Sequence, residues 1–358
     1  MPALIITTVT PTVPPKAPHV VGSKTKKATR PTAEIPQFLI DEAQQTQPVA
    51  WDPEKHLCFQ PPAKIHTMSD IGLEGHEIST TAVSDPFPLF SKEAMVQMRR
   101  EIFSGPVLEH CRYSSSFNAN MVRGMGQERA PFTYNAWWDP ETLAKISQVA
   151  SIELVPAFDF EVANINISIN DHDAETAATE AEKTSSVAWH YDSFPFVCVT
   201  MASDCTGMVG GETATKLPSG EIRKVRGPQM GTAVVMQGRY IYQQALKTFG
   251  GRERISMVTA FRPKSPFVRD ETILTGSRAI SNLDELYSQY TEYRLEVLEE
   301  RFLAKLKEER RRVVMRCPYN LADIRSFLAE QKEYIESMLE QLFEVEQIRY
   351  LMCGVCKS

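Results

Sequence analysis

Trp189-His190-Tyr191-Asp192 has the residue types and the spacing that metal chemistry needs. It sits in the run VAWHYDSFPFVCVTM, whose β-branched and aromatic residues predict a strand. Side chains at i and i+2 of a strand leave the same face. His190 and Asp192 therefore project together and offer one nitrogen and one carboxylate oxygen to a shared cation. These are two of the three ligands of a 2-His-1-carboxylate facial triad, which leaves positions on iron(II) open for substrates. An isolated His-x-Asp equally fits a structural histidine held by hydrogen bonds, so the residues that follow decide its meaning.

Gly210-Gly211-Glu212-Thr213 comes next, and then Arg254-Ile255-Ser256 in a second strand-like run. Arg254 and Ser256 share a face by the same spacing argument. A guanidinium fork beside a hydroxyl suits a carboxylate, because arginine makes bidentate charge-assisted hydrogen bonds. The order along the chain is thus a metal pair, a glycine turn and a carboxylate anchor.

The elements that must hold these groups are legible in outline. FDFEVANINISI, the WHYD run, GTAVVMQGRYIY and ISMVTAF read as strands, and several strands parted by turns predict a barrel or sandwich. Upstream, Ser91 caps a helix with Ala94, Met95, Met98 and Ile102 on one side, and Pro140 opens a helix running to Ala150. Downstream, Leu283, Leu286, Tyr290, Tyr293, Val297 and Phe302 recur at helical spacing. Leu321, Ile324, Leu328, Ile335, Met338 and Leu342 do the same after a break at Cys317-Pro318. The polar stretch 171–186 reads as a loop. It contains a second His-x-Asp, at His172, which has no strand to hold it.

WHYDSFPFVCVTM, SDCTGMVGGET, VRGPQMGTAVVMQGRYI and ERISMVTAFRPKSP together resemble the iron(II)/2-oxoglutarate-dependent oxygenases, most closely a fungal branch of them. FPLFSKEAM and ELYSQYTEYRLEVLEER add to the likeness, which spans residues 50–310. The resemblance implies a fold that is mainly β with α, a double-stranded β-helix (jelly-roll) core flanked by N-terminal helices and a helical C-terminal extension. It implies Fe(II) as metal, 2-oxoglutarate as co-substrate with its distal carboxylate on Arg254 and Ser256, and oxidation of a small organic substrate by O2. One position departs from the family pattern. The distal histidine belongs ahead of a Gln-Ala-Leu sequence, where this chain reads Tyr242-Gln243-Gln244-Ala245-Leu246. Gln243 stands in its place, and none of the seven histidines lies beyond His190. A carboxamide oxygen is a poorer iron(II) donor than imidazole. Two outcomes stay open: a dioxygenase with His190, Asp192 and Gln243 as its metal set, or a catalytically impaired oxygenase-fold protein acting as a partner subunit or binding protein.

Composition bounds the rest. The 358 residues carry a net charge of −6, which gives no footprint for a nucleic-acid partner. No run approaches the ~18 apolar residues of a membrane span, and the N-terminus lacks the basic region of a secretory signal. Seven scattered cysteines fit a reduced cytoplasmic protein better than a disulfide scaffold, and Cys353 and Cys356 lack two further zinc ligands. Residues 1–35, rich in Pro and Thr and made basic by Lys24, Lys26, Lys27 and Arg30, are expected to be a disordered arm. Residues 36–275 are expected to form the oxygenase-like domain. Residues 276–358 are expected to form the helical extension, whose heptad-like spacing fits a homodimer or heterodimer seam as well as packing on its own barrel.

Overall fold

The computed structural model describes residues 16–22, 28–75, 78–115, 118–169, 189–217, 219–225, 229–246, 248–249 and 252–344. Among them are fifteen strands. They are β1 (Ile65–Thr67), β2 (Thr81–Ser84), β3 (Phe87–Pro88), β4 (Arg112–Tyr113), β5 (Asn120–Val122), β6 (Leu154–Pro156), β7 (Asn164–Ile169), β8 (Phe196–Met201), β9 (Val209–Gly210), β10 (Thr213–Lys216), β11 (Ile222–Val225), β12 (Thr232–Met236), β13 (Tyr242–Ala245), β14 (Thr248–Phe249) and β15 (Glu253–Pro263). The helices are α1 (Gln37–Gln45), α2 (Pro53–His56), α3 (Lys92–Ile102), α4 (Gly105–His110), α5 (Gly126–Arg129), α6 (Pro131–Trp138), α7 (Pro140–Ala150), α8 (Leu283–Val314) and α9 (Leu321–Leu339). The fold is mixed α/β around antiparallel sheet. Helix has a larger share than "mainly β" implies, since α8 and α9 alone span 32 and 19 residues.

The large sheet runs β1-β2-β12-β8-β15-β7-β5-β4, with β3 added on β12 and β6 on β15. A small sheet runs β11-β10-β13. Directly opposed residues share a face, so the register of the large sheet sorts its side chains. Ile255 pairs with Ile167 and Thr259 with Cys198, which pairs in turn with Val235. That face packs on Met95 and Met98 of α3 and on Phe132, Trp137 and Ile146, in one core. The other face carries Val258 opposite Val199 and Ala260 opposite Val197, and it packs with Phe158, Phe194, Leu217 and Ile241 in a second core. Each fully buried aliphatic or aromatic side chain in these layers contributes about 1.5–3 kcal/mol.

Local signals explain the helices that back the sheet. The Ser91 hydroxyl accepts from the Ala94 amide at 3.2 Å, and the Asp139 carboxylate accepts from the Thr142 amide at 2.8 Å. Both satisfy N–H groups that a helix start leaves without partners. Alternation through FDFEVANINISI is interrupted where residues 159–161 form a 3-10 turn. Ala163 then takes a positive φ of 54°, so β7 begins only at Asn164.

Part of the expected disordered arm is fixed to the body. Arg30 donates to the carbonyls of His110 at 2.9 Å and Arg112 at 3.2 Å, and its guanidinium lies over the Tyr113 ring. Thr29 forms a bridge with Ser114, and Val20 is buried. Partners far along the chain order these residues, which local composition does not reveal. Residues 1–15, Lys24, Lys26, Lys27, the 171–186 loop with His172, and Cys353 and Cys356 lie outside the described residues.

Candidate metal centre

His190 and Gln243 exchange two backbone hydrogen bonds, His190 N to Gln243 O at 2.8 Å and Gln243 N to His190 O at 2.9 Å. This reciprocal antiparallel pair puts their side chains on one face, and Asp192 joins them at i+2. The His190 Nε2 lies 3.6 Å from Asp192 Oδ1. The Gln243 side-chain amide donates to Asp192 Oδ2. The three groups singled out in the sequence thus converge on one carboxylate. The His190 side chain is 33% exposed and that of Asp192 18%, which leaves the cluster within reach of a small ion.

Trp189, Tyr191 and Tyr242 take the opposite face. The Trp189 and Tyr242 rings stack at 5.4 Å, and those of Tyr191 and Tyr242 lie 4.8 Å apart. They brace the back of the strand pair, as alternation requires. Phe194 is buried against Phe158 at 5.8 Å.

Asp192 is fixed by backbone as well as by side chains. Its amide donates to Gly238 O at 2.9 Å, and its carbonyl accepts from Arg239 at 3.4 Å. The next residue, Ser193, accepts from Ile273 N at its carbonyl and from Gly276 N at its hydroxyl, both at 2.9 Å. Gly238 is a glycine because of this approach: a Cβ there would stand 2.6 Å from Asp192 Cβ and 2.9 Å from its Oδ2. Sequence reasoning passed over Gly238, whose only signal is a lone glycine closing an apolar strand.

Arg254 and Ser256 lie side by side on β15, on the face turned toward the small sheet. The Arg254 Nε donates to Gly211 O at 3.2 Å and its Nη1 to Ser256 Oγ at 3.4 Å. Gly211 was legible only as part of a glycine turn; the structure makes its carbonyl an arginine acceptor. Burial lowers the Arg254 pKa from its ordinary value, with nearby Cys205 and Glu212 pulling the other way. Three other buried arginines have ion pairs, Arg99 with Glu253, Arg123 with Glu161 and Arg294 with Asp270, whereas Arg239 and Arg278 have none among the described residues. Arg254 makes none among the described residues, which suits it to an external carboxylate.

One imidazole nitrogen and one carboxylate oxygen fit two adjoining metal positions. The Gln243 nitrogen faces Asp192, so its Oε1 could serve as a third ligand only with the amide turned. Glu308, Glu309 and Asp323 form the cluster of acidic ligand atoms found among the described residues. Lys305 Nζ already occupies its centre, contacting Glu308 at 2.9 Å and Glu309 at 3.5 Å as well as Asp323.

No family model and no curated protein matches this chain. Solved structures do. A 2OG-Fe(II) oxygenase family oxidoreductase from Burkholderia pseudomallei is 13% identical, covers 66% of this chain and 100% of its own, and has a TM-score of 0.37. The non-heme alpha-ketoglutarate-dependent epimerase SnoN from nogalamycin biosynthesis is 18% identical over 48% of this chain and 82% of its own, with a TM-score of 0.32. The non-heme monooxygenase ThoJ, solved as a nickel complex, is 12% identical over 61% and 96%, with a TM-score of 0.35. All three scores fall below 0.5, so the functional reading rests on this chain's own residues. No helix among the described residues is long and apolar enough to cross a membrane.

Proposed function

We propose that this chain is an iron(II)- and 2-oxoglutarate-dependent oxygenase that oxidises a small organic substrate with O2, by hydroxylation, desaturation or a related reaction. The observation that carries this reading is the convergence of His190 and Gln243 on Asp192, in a fold that also holds a buried arginine with no ion pair among the described residues. Strand order supports a double-stranded β-helix. After β7 the chain passes between two sheets, the His190 segment to the small sheet, β8 to the large, β10 and β11 to the small, β12 to the large, β13 to the small and β15 to the large, while β9 and β14 pair with each other in a third.

His190 and Asp192 would hold the metal, with Gln243 Oε1 or water as third ligand. Bound iron(II) supplies oxidative decarboxylation of 2-oxoglutarate to succinate and CO2, with oxidation of the substrate by O2. Arg254 would grip the distal carboxylate of 2-oxoglutarate with its remaining N–H groups, and Ser256 would add a hydroxyl. Gly238 admits Asp192 to its position. Trp189, Tyr191 and Tyr242 keep the ligand-bearing strands in register from behind.

A second reading has one observation in its favour. The Gln243 amide already satisfies Asp192 Oδ2 without a cation. On that reading the chain is an impaired oxygenase-fold subunit or binding protein. Calorimetry of 2-oxoglutarate binding under anaerobic conditions with iron(II) tests the proposal. Arg254→Ala should cost about 1.5–3 kcal/mol of binding, as for a hydrogen bond to a charged group. No measurable binding by the wild type would refute it, and binding indifferent to Arg254→Ala would remove the anchor assigned to that residue.

A further inference from the structure

The two C-terminal helices are assembled in an unusual way. Where α8 faces α9, polar contacts run beside an edge-to-face pair of Phe302 and Phe327 at 5.4 Å and a shared core of Tyr290, Tyr293, Val297, Tyr334 and Met338. Arg294 donates to the Tyr334 carbonyl at 3.1 Å, Arg301 to Gln331 at 3.5 Å, and Arg312 to the Pro318 carbonyl at 2.6 Å, while Lys305 pairs with Asp323. These contacts run in opposite directions along the two helices and define an antiparallel hairpin. Several of its apolar residues nonetheless lie outside. On α9, Leu321, Leu328, Ile335 and Leu339 are 61%, 51%, 42% and 66% exposed. At 100° per residue they fall within about 40° of one another and form a straight stripe. The buried side of the same helix is Gln331, Tyr334 and Met338. A soluble helix ordinarily shows the reverse distribution, with its apolar stripe against the core.

From this we infer that the α9 stripe is the interface for a second copy of this chain. The stripe is complementary to itself when turned end for end. Arg325 and Glu336 flank it near opposite ends. A two-fold axis crossing α9 between Leu328 and Lys332 brings Leu321 of one copy against Leu339 of the other. The same operation brings Arg325 against Glu336. Each pairing occurs twice, as an isologous contact requires. Opposite charges meet on the flanks and leucines meet in the seam, the arrangement by which paired helices choose partner and orientation. Larger charge blocks agree. Arg310, Arg311, Arg312 and Arg316 lie at the tip of the hairpin, and Glu330, Glu333, Glu336 and Glu340 along the returning helix. Antiparallel copies lay the basic tip of each over the acidic stretch of the other. This inference is independent of the reaction the metal site performs.

Light scattering coupled to size exclusion, with sedimentation equilibrium, tests it on the full chain. At tens of micromolar the wild type should have twice the chain mass. Leu328→Glu should weaken self-association at least about 30-fold, as for a central interface residue. Arg325→Glu and Glu336→Arg should each weaken it about tenfold, and the double exchange should restore it. Far-UV circular dichroism of the single variants should match the wild type, because the altered positions face solvent. A wild type of single-chain mass at that concentration would overturn the inference. So would a dimer indifferent to Leu328→Glu, or a double exchange that fails to restore association.

Discussion

Gly238→Ala places one methyl group where the His190–Asp192 segment passes the end of β12. The new Cβ would lie 2.6 Å from Asp192 Cβ, 2.9 Å from Asp192 Oδ2 and 2.9 Å from the Phe194 carbonyl. Carbon atoms settle at about 3.5–4.0 Å, so roughly 1 Å of separation must be found. Neither side can give it freely. Gly238 O holds the Asp192 amide at 2.9 Å, and Ser193 is clamped by Ile273 and Gly276. Overpacking of this kind costs about 1–3 kcal/mol. The strain falls on the carboxylate that His190 and Gln243 share, so metal affinity should fall about 10–100-fold, the range for lost ligand support. Urea unfolding reads the first effect and anaerobic metal titration the second. Gly105→Ala is the control: nothing lies within 4 Å of its Cβ, and its stability should stay within about 0.5 kcal/mol. A Gly238→Ala protein with wild-type stability and metal affinity would refute the close-approach argument.

Two further outcomes concern stability. Trp137→Ala should cost about 3–5 kcal/mol in urea unfolding, because the ring is fully buried between Phe90 at 5.2 Å and Phe261 at 6.0 Å. Asp270→Ala should cost about 3–5 kcal/mol at neutral pH by stranding Arg294, whose side chain is wholly inaccessible. Burial alone would raise the Asp270 pKa, but Arg294 and hydrogen bonds from Thr272 outweigh it and hold the carboxyl below its ordinary value. The folded chain then binds this proton less readily than the unfolded one. Its contribution is present above the unfolded pKa of about 4 and disappears as pH falls through the folded value, so the gap between wild type and variant should close in acid. A gap that stays constant down to pH 3 would refute this pH dependence.

Local patterning put His190 with Asp192 and Arg254 with Ser256 on shared faces and marked both C-terminal helices, because each depends on spacing within one element. Ser91 and Pro140 marked helix starts that the structure retains. Partnership across the chain was not legible. Gln243 became a candidate ligand only by resemblance, and its pairing with His190 belongs to a sheet that forms between distant segments. The Arg30 contacts with the 110–113 segment are of the same kind, and composition alone argued against them. The interruption before β7 turns on the left-handed Ala163, which no residue pattern marks.

Anaerobic titration of the protein with iron(II) and 2-oxoglutarate, followed by visible absorption, tests most directly whether His190, Asp192 and Gln243 share one cation. The wild type should show the metal-to-ligand charge-transfer band of a chelated 2-oxoacid at a weak metal affinity. Gln243→His should tighten that affinity, and His190→Ala should abolish the band. Absence of the band in the wild type at millimolar co-substrate, with its appearance in Gln243→His, would contradict the enzyme reading and leave an impaired oxygenase fold.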